Sequence, residues 1–325
     1  MHQSANRVPA AAGLILAAML IIGFIDNFVR VIAEDAGLWQ FHAVRSAMVL
    51  PVLGGLALIF GWPLRARRLW AVLIRSALMA TSLLLYFGAV AVLPISTAGA
   101  GLFTSPIFVL VFSIGLFGAR IGPWRAGAVA IGFAGVLLVL QPGGDAFTPV
   151  AIVPVLAGAL YAAGSLATRQ LCAEESPYCL TWWFFALLLV YGVVGAGVLA
   201  ATGWGGAPGT ASFFGTGWQP FTGQFLTLTV VQAAGSLVAV GFLVRAYQIA
   251  DPSYASVFEY SFLLFAGIWG YVLWAELPGA LAFGGICCIL VAGLVIILRG
   301  RQVPGPGGGA RRGPDCSDRS GASRD

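Results

Sequence analysis

Four ionisable side chains stand where so apolar a chain has no ordinary use for them. Asp26 and Arg30, in "FIDNFVRV", are spaced i, i+4, so on one helix they share a face and can pair. Arg45 lies in "FHAVRSAMVL", and Glu259 lies in "SVFEYSFLLF" with no charged neighbour in its own helix. Carboxylates and guanidiniums of this kind can hold a charged solute or load a proton. They do not make a bond-breaking set. The two histidines, His2 and His42, have no acidic or histidine partner at i, i+4, and no HExxH, GxSxG or phosphate-binding loop occurs. Tyr86, Tyr161 and Tyr260 recur at matching depths, and aromatic walls carrying a few polar groups are what a small-molecule site needs. Gln232 adds a donor and an acceptor. The candidate binding set is therefore Asp26, Arg30, Arg45, Tyr86, Tyr161, Gln232, Glu259 and Tyr260, with no catalytic residue and no metal ligand. A structural ion pair explains Asp26 and Arg30 as readily as binding does, and helix packing could account for Arg45. Glu259 has three readings: a proton-coupling group, a holder of a cationic part of a solute, or a packing residue.

These residues need long apolar elements to carry them. The 325 residues are 59% hydrophobic and 9% charged, with a mean hydropathy of +0.93. A soluble domain carries about 25% charged residues, so the composition points to a polytopic membrane protein. Crossing a ~30 Å hydrocarbon core takes about 20 apolar residues. Ten stretches qualify, at 11–33, 40–60, 69–92, 95–117, 123–140, 150–170, 178–201, 225–249, 252–275 and 279–298. They are too long and too uniformly apolar for barrel strands, so the expected fold is all-α. The first stretch contains Asp26, Asn27 and Arg30 and is followed by many more, which argues against a cleaved signal peptide.

Every one of the 17 basic residues is an arginine. With the N-terminus inside, Arg65, Arg67, Arg68, Arg120, Arg125 and Arg169 fall in or beside inside loops, and the outside loops hold none. That asymmetry places both ends in the cytoplasm of a multi-pass inner-membrane protein. Arg75 and Arg245 lie close enough to cytoplasmic helix ends to snorkel. Glu276, at the external mouth of the ninth span, reads as a structural remnant. The five cysteines show no ligand spacing.

An offset of 158 residues lays Pro94 on Pro252 and Gly127, Ile131 and Ala134 on Gly285, Ile289 and Ala292. An offset of 139 lays Arg30 on Arg169. Five spans per half force the second half in upside down, and such inverted repeats place a solute site at their interface near the midplane. The expected domains are a first five-helix repeat at 1–142, an inverted second repeat at 147–298, and a disordered basic tail at 299–325 rich in Gly, Pro and Arg.

The segments "FHAVRSAMVLPVL", "YFGAVAVLPISTAGAGLFTSPIFVLVF", "WRAGAVAIGFAGVLLVLQP", "ALYAAGSLATRQL" and "GGICCILVAGLVIILR", in that order from residue 11 to 298, resemble the drug/metabolite transporter superfamily, EamA type. The family usually has a Glu at the end of helix 4, where this chain has Gly118 and Ala119. The "FEYS" of the ninth span resembles a branch described as S-adenosylmethionine or riboflavin carriers. The resemblance implies a secondary transporter of a small organic metabolite: amino-acid-like, nucleoside-like or S-adenosylmethionine-like. It would work by alternating access in the lipid bilayer, coupled to protons or running by exchange, with no cofactor and no nucleic-acid partner. An integral membrane enzyme or a non-transporting receptor or scaffold is the reading from a different class.

Overall fold

A computed structural model describes residues 8–90, 101–118, 122–140, 150, 152–206, 213–275 and 280–300. Twelve helices cover them: α1 Val8–Asp26, α2 Val29–Asp35, α3 Leu38–Phe60, α4 Leu69–Val90, α5 Ser105–Phe117, α6 Pro123–Leu140, α7 Ile152–Gln170, α8 Pro177–Thr202, α9 Gly223–Ile249, α10 Pro252–Glu259, α11 Ser261–Trp274 and α12 Ala280–Gly300. Seven membrane-length apolar spans and three shorter apolar helices account for ten crossings. The first span, Val8–Asp35, is α1 and α2 in series, and the ninth is α10 followed by α11.

Helix breaks inside a membrane leave carbonyls without their i+4 donors, and in hydrocarbon each must find another partner. Here polar side chains supply them. Asn27 Nδ2 donates to Gly23 O at 2.6 Å at the α1–α2 break. Thr104 Oγ1 donates to Gly101 O at 2.6 Å before α5. Ser261 Oγ donates to Phe258 O at 2.6 Å between α10 and α11. The last two are the same device 157 residues apart. Gly118 and Ala275, also 157 apart, close α5 and α11 in the left-handed conformation at φ 60° and 56°. Gly118 therefore aligns with Ala275, not with Glu276 as the 158 offset implies; Glu276 lies outside the described residues. Phe103 and Tyr260, again 157 apart, face each other with ring centroids 6.4 Å apart.

Two apolar clusters form the interior. One gathers α1, α6, the end of α9, α10, α11 and α12. The other gathers α2, α3, α4, α8 and the start of α9. Close helix contacts rest on small residues. A Cβ at Gly192 on α8 would lie 2.6 Å from Ala43 N and 2.7 Å from Trp39 O, both backbone atoms of α3.

One end of the bundle is the arginine-bearing end. There Glu175, 5% exposed, accepts the backbone N–H groups of Arg67 (3.0 Å) and Arg68 (2.7 Å). Gln248 Nε2 donates to Glu175 O at 2.6 Å and to Cys172 O at 3.1 Å, and its own carbonyl accepts from Arg169. Arg125 pairs with Asp251 at 3.4 Å and lies over the Tyr254 ring. At the other end, the segment before α9 covers the start of α3. Leu38 N donates to Phe213 O at 2.7 Å, and Gln40 exchanges two hydrogen bonds with the Gln219 backbone.

Gly192→Ala is expected to lower the thermal midpoint of the purified protein, by the equivalent of about 1–3 kcal/mol of overpacking. Gly197→Ala, on the same helix with nothing within 4 Å of its Cβ position, should leave the midpoint unchanged or raise it. Equal loss in both variants would contradict the packing.

Candidate functional site

The seam between the two clusters opens into a cavity of about 170 Å³. Its wall is mostly apolar and aromatic, including Phe87, Phe103, Phe184 and Phe262, and its charged lining residues are Asp26, Arg45, Arg75 and Glu259. Each charged group is placed by a helix end or by depth along a span. Asp26 is the last residue of α1 and Glu259 the last of α10, so both sit at breaks. Arg45 lies seven residues into α3 and Arg75 six into α4, about 10 Å from opposite ends of the bundle at 1.5 Å per residue.

The charges fall into two groups. In the first, Asp26 has the Arg45 guanidinium and the Gln232 side chain as its electrostatic neighbours. Arg45 Nη2 donates to His42 Nδ1 at 3.1 Å and lies 5.0 Å from the Phe41 ring centroid, a cation–π contact. Gln232 is buried behind the wall and donates to Ile25 O at 2.7 Å, a carbonyl beside the α1–α2 break that also accepts from Phe28 N at 3.1 Å. In the second group, Tyr161 OH donates to Glu259 Oε1 at 2.5 Å. Arg75 Nε donates to Thr168 Oγ1 at 2.9 Å and its Nη1 to Leu180 O at 3.3 Å. Tyr247 lines the same end.

Five of the eight sequence candidates line the cavity together: Asp26, Arg45, Tyr86, Tyr161 and Glu259. Gln232 stands behind them. Arg30 does not join them. The Asn27–Phe28 turn breaks the i, i+4 register with Asp26, and Arg30 is exposed on α2 while Arg45 is the cation beside Asp26. Tyr260 is fully buried outside the cavity wall, its ring against Gly132 of α6, and serves the core. Arg75 departs from the snorkelling expectation. It is 3% exposed and faces the cavity, because Thr168 and the Leu180 carbonyl hold it inward. Tyr247, Ser82, Ser105 and Ser236 also line the wall. The signal for Arg75 was its depth, about 9 Å from the start of its helix. Tyr247 and the serines carried none.

Groups of three or more metal-ligating residues do not occur among the described residues. Burial, with the Glu175 carboxylate adding and Arg75 opposing, pushes the Cys172 thiol in the α7–α8 loop up to about 11. Cys172 is thus a protonated filler and no nucleophile.

Residues 10–141 match the model of the EamA-like transporter family. The riboflavin transporter of Rhizobium johnstonii is 31% identical over 82% of this chain and 81% of its own length. The chain belongs to the EamA-like transporter family. The pseudopaline exporter CntI of Pseudomonas aeruginosa is 28% identical over 68% of this chain and 72% of its own. The S-adenosylmethionine uptake transporter of Rickettsia bellii is 24% identical over 66% and 70%. A solved crystal structure, at 17% identity, superposes with a TM-score of 0.70 over 90% of this chain and 98% of that one, which shows a shared fold. The EamA-like chain is thus a multi-pass small-molecule transporter and not an enzyme, and the cavity is where a solute can sit.

Tyr161→Phe should destabilise the protein by about 1–3 kcal/mol, the usual range for removing a buried hydrogen bond to a carboxyl group. In a Glu259→Gln background the same change should have a smaller effect, a coupling that thermal unfolding of the four variants measures. Strict additivity would show that the two side chains do not interact.

Proposed function

We propose that this EamA-like protein is a secondary transporter of a zwitterionic or partly charged organic metabolite with an aromatic or heteroaromatic body. The observation that carries the reading is the cavity. Its walls are aromatic and apolar, and its four charged residues are divided between two groups. Such a site binds a flat body by its faces and orients it by its polar ends. Of the relatives' printed substrates, S-adenosylmethionine fits both parts of that description, and riboflavin, uncharged near neutral pH, fits the aromatic part. Riboflavin carries a flat heteroaromatic ring, and S-adenosylmethionine joins a nucleoside to an amino acid. Amino-acid-like, nucleoside-like and S-adenosylmethionine-like solutes all belong to the class.

Alternating access is supported by the way the cavity divides the interior. It lies between the two apolar clusters, so rocking one cluster against the other opens the seam at one end and closes it at the other. The recurrence of the helix break and the left-handed cap at an offset of 157, with Phe103 facing Tyr260, supports the reading as inverted five-helix repeats over 1–142 and 147–298. Residues that face their own repeat partner lie beside the axis that relates the repeats. The arginine distribution supports an inner-membrane protein with both ends cytoplasmic. The tail beyond Arg301 is read as dispensable for transport, α12 running to Gly300.

Counterflow in proteoliposomes tests the proposal. The purified protein, loaded inside with unlabelled riboflavin, S-adenosylmethionine or L-phenylalanine, should accumulate the corresponding labelled solute for at least one of the three. Protein-free vesicles should accumulate none. No counterflow with any of the three would contradict the reading.

A further inference from the structure

Arg75 and Glu259 bring a buried guanidinium and a buried carboxyl group to one cavity, 3% and 5% exposed, without an ion pair between them. Both lie about 10 Å along their helices from the arginine-bearing end: Arg75 six residues from Leu69, Glu259 seven from Pro252. Tyr161 is a neighbour of both. Their bonds are to neutral groups. Glu259 accepts from Tyr161, and Arg75 donates to a threonine hydroxyl and a backbone carbonyl. A guanidinium has five N–H donors and a carboxylate about four acceptor sites, so both keep capacity. Tyr247, 1% exposed and in the same wall, has its hydroxyl beside Glu259 and Ser165.

Each uncompensated charge at such depth costs several kcal/mol. Asp26 and Arg45 offset each other in the other group. Arg75 and Glu259 lie in the same part of the cavity but are held apart on separate neutral partners. This arrangement is complementary to a ligand that brings one charge of each sign. We infer that Glu259 and Arg75 form a head-group subsite that takes a zwitterion, its ammonium on Glu259 and its carboxylate on Arg75. The inference rests on the cavity being the transport site and narrows its substrate class. A phosphate dianion would add negative charge beside Glu259 and leave it unanswered. A neutral solute would leave both groups unanswered. The Tyr247 hydroxyl, beside Glu259, borders the head group, and the Phe103 and Phe262 rings receive an aromatic body.

The test uses the full-length protein in lipid nanodiscs and four probes that share a phenylethyl body: L-phenylalanine, phenethylamine, 3-phenylpropionate and 2-phenylethanol. Wild type should bind L-phenylalanine at least about tenfold more tightly than either singly charged probe, and 2-phenylethanol most weakly. Glu259→Gln should abolish the preference for L-phenylalanine over 3-phenylpropionate but keep its preference over phenethylamine. Arg75→Gln should do the reverse, and Arg75→Lys should restore most of the carboxylate preference. The conservative Arg75→Lys variant also shows that loss in Arg75→Gln is not misfolding. Absence of binding by all four probes overturns the inference. So does equal weakening of every probe in both glutamine variants, or wild-type binding indifferent to charge. Counterflow of riboflavin by a protein with no zwitterion preference removes the subsite and leaves the transporter. Zwitterion preference without any counterflow supports the subsite and removes the transport reading.

Discussion

The whole arrangement depends on one constraint: backbone polar groups in hydrocarbon must be satisfied within the protein. An unbroken helix meets it without help. This chain breaks its first, fourth and ninth spans, and at each break a short polar side chain donates to a carbonyl there: Asn27, Thr104 and Ser261. Gln232 reaches across from α9 to bond Ile25 O beside the first break. The breaks are what bring function to the middle of the bundle. Asp26 and Glu259 are the residues at which α1 and α10 stop, and Ser105 follows the break before α5. A side chain at a helix end can face a cavity that a continuous apolar helix would have filled.

The second consequence concerns charge. The cavity holds two carboxylates and two guanidiniums, a balance that leaves no net charge to be buried if all four are ionised. Their grouping is unequal. Asp26 and Arg45 act on each other, with Phe41 and His42 around the guanidinium. Arg75 and Glu259 are held apart on neutral partners. Further polar ties lie beyond the cavity, where Glu175 clamps the Arg67 and Arg68 amides and Arg125 meets Asp251. Those ties join segments from both halves of the chain at the arginine-bearing end.

Hydropathy made ten all-helical spans legible, because a long apolar run has one stable form in lipid. Glu259 and Asp26 were legible for the same reason: a charge deep in such a run has to be explained. What the sequence concealed was local. An i, i+4 spacing assumes an unbroken helix, and the turn at Asn27–Phe28 removed Arg30 from the face it should have shared with Asp26. Asn27 itself was the available sign, since its amide can replace a backbone donor. Arg75 looked able to reach the interface, and only the packing of α4 against α7 shows Thr168 holding it inward. Tyr260, next to Glu259 in sequence, reads as a site residue, yet the break turns its ring toward Gly132. The repeat offset slipped by one residue within α5 and α11, which a comparison of identities alone does not resolve. Residues 91–100 and 276–279, where the Pro94 match and Glu276 fall, lie outside the described residues.

The central claim is that a solute-accessible cavity lies within the spans and carries these charges. Thiol accessibility tests it most directly. In a cysteine-free background, single cysteines replace Ser82 on α4, Ser105 on α5 and Ser236 on α9, all on the cavity wall, and Ser76 and Thr229, which are fully buried elsewhere. A small, charged, water-soluble methanethiosulfonate should modify the first three in folded protein in membranes and spare the other two. Folded protein in which none of the three wall positions reacts would contradict the cavity and the account built on it.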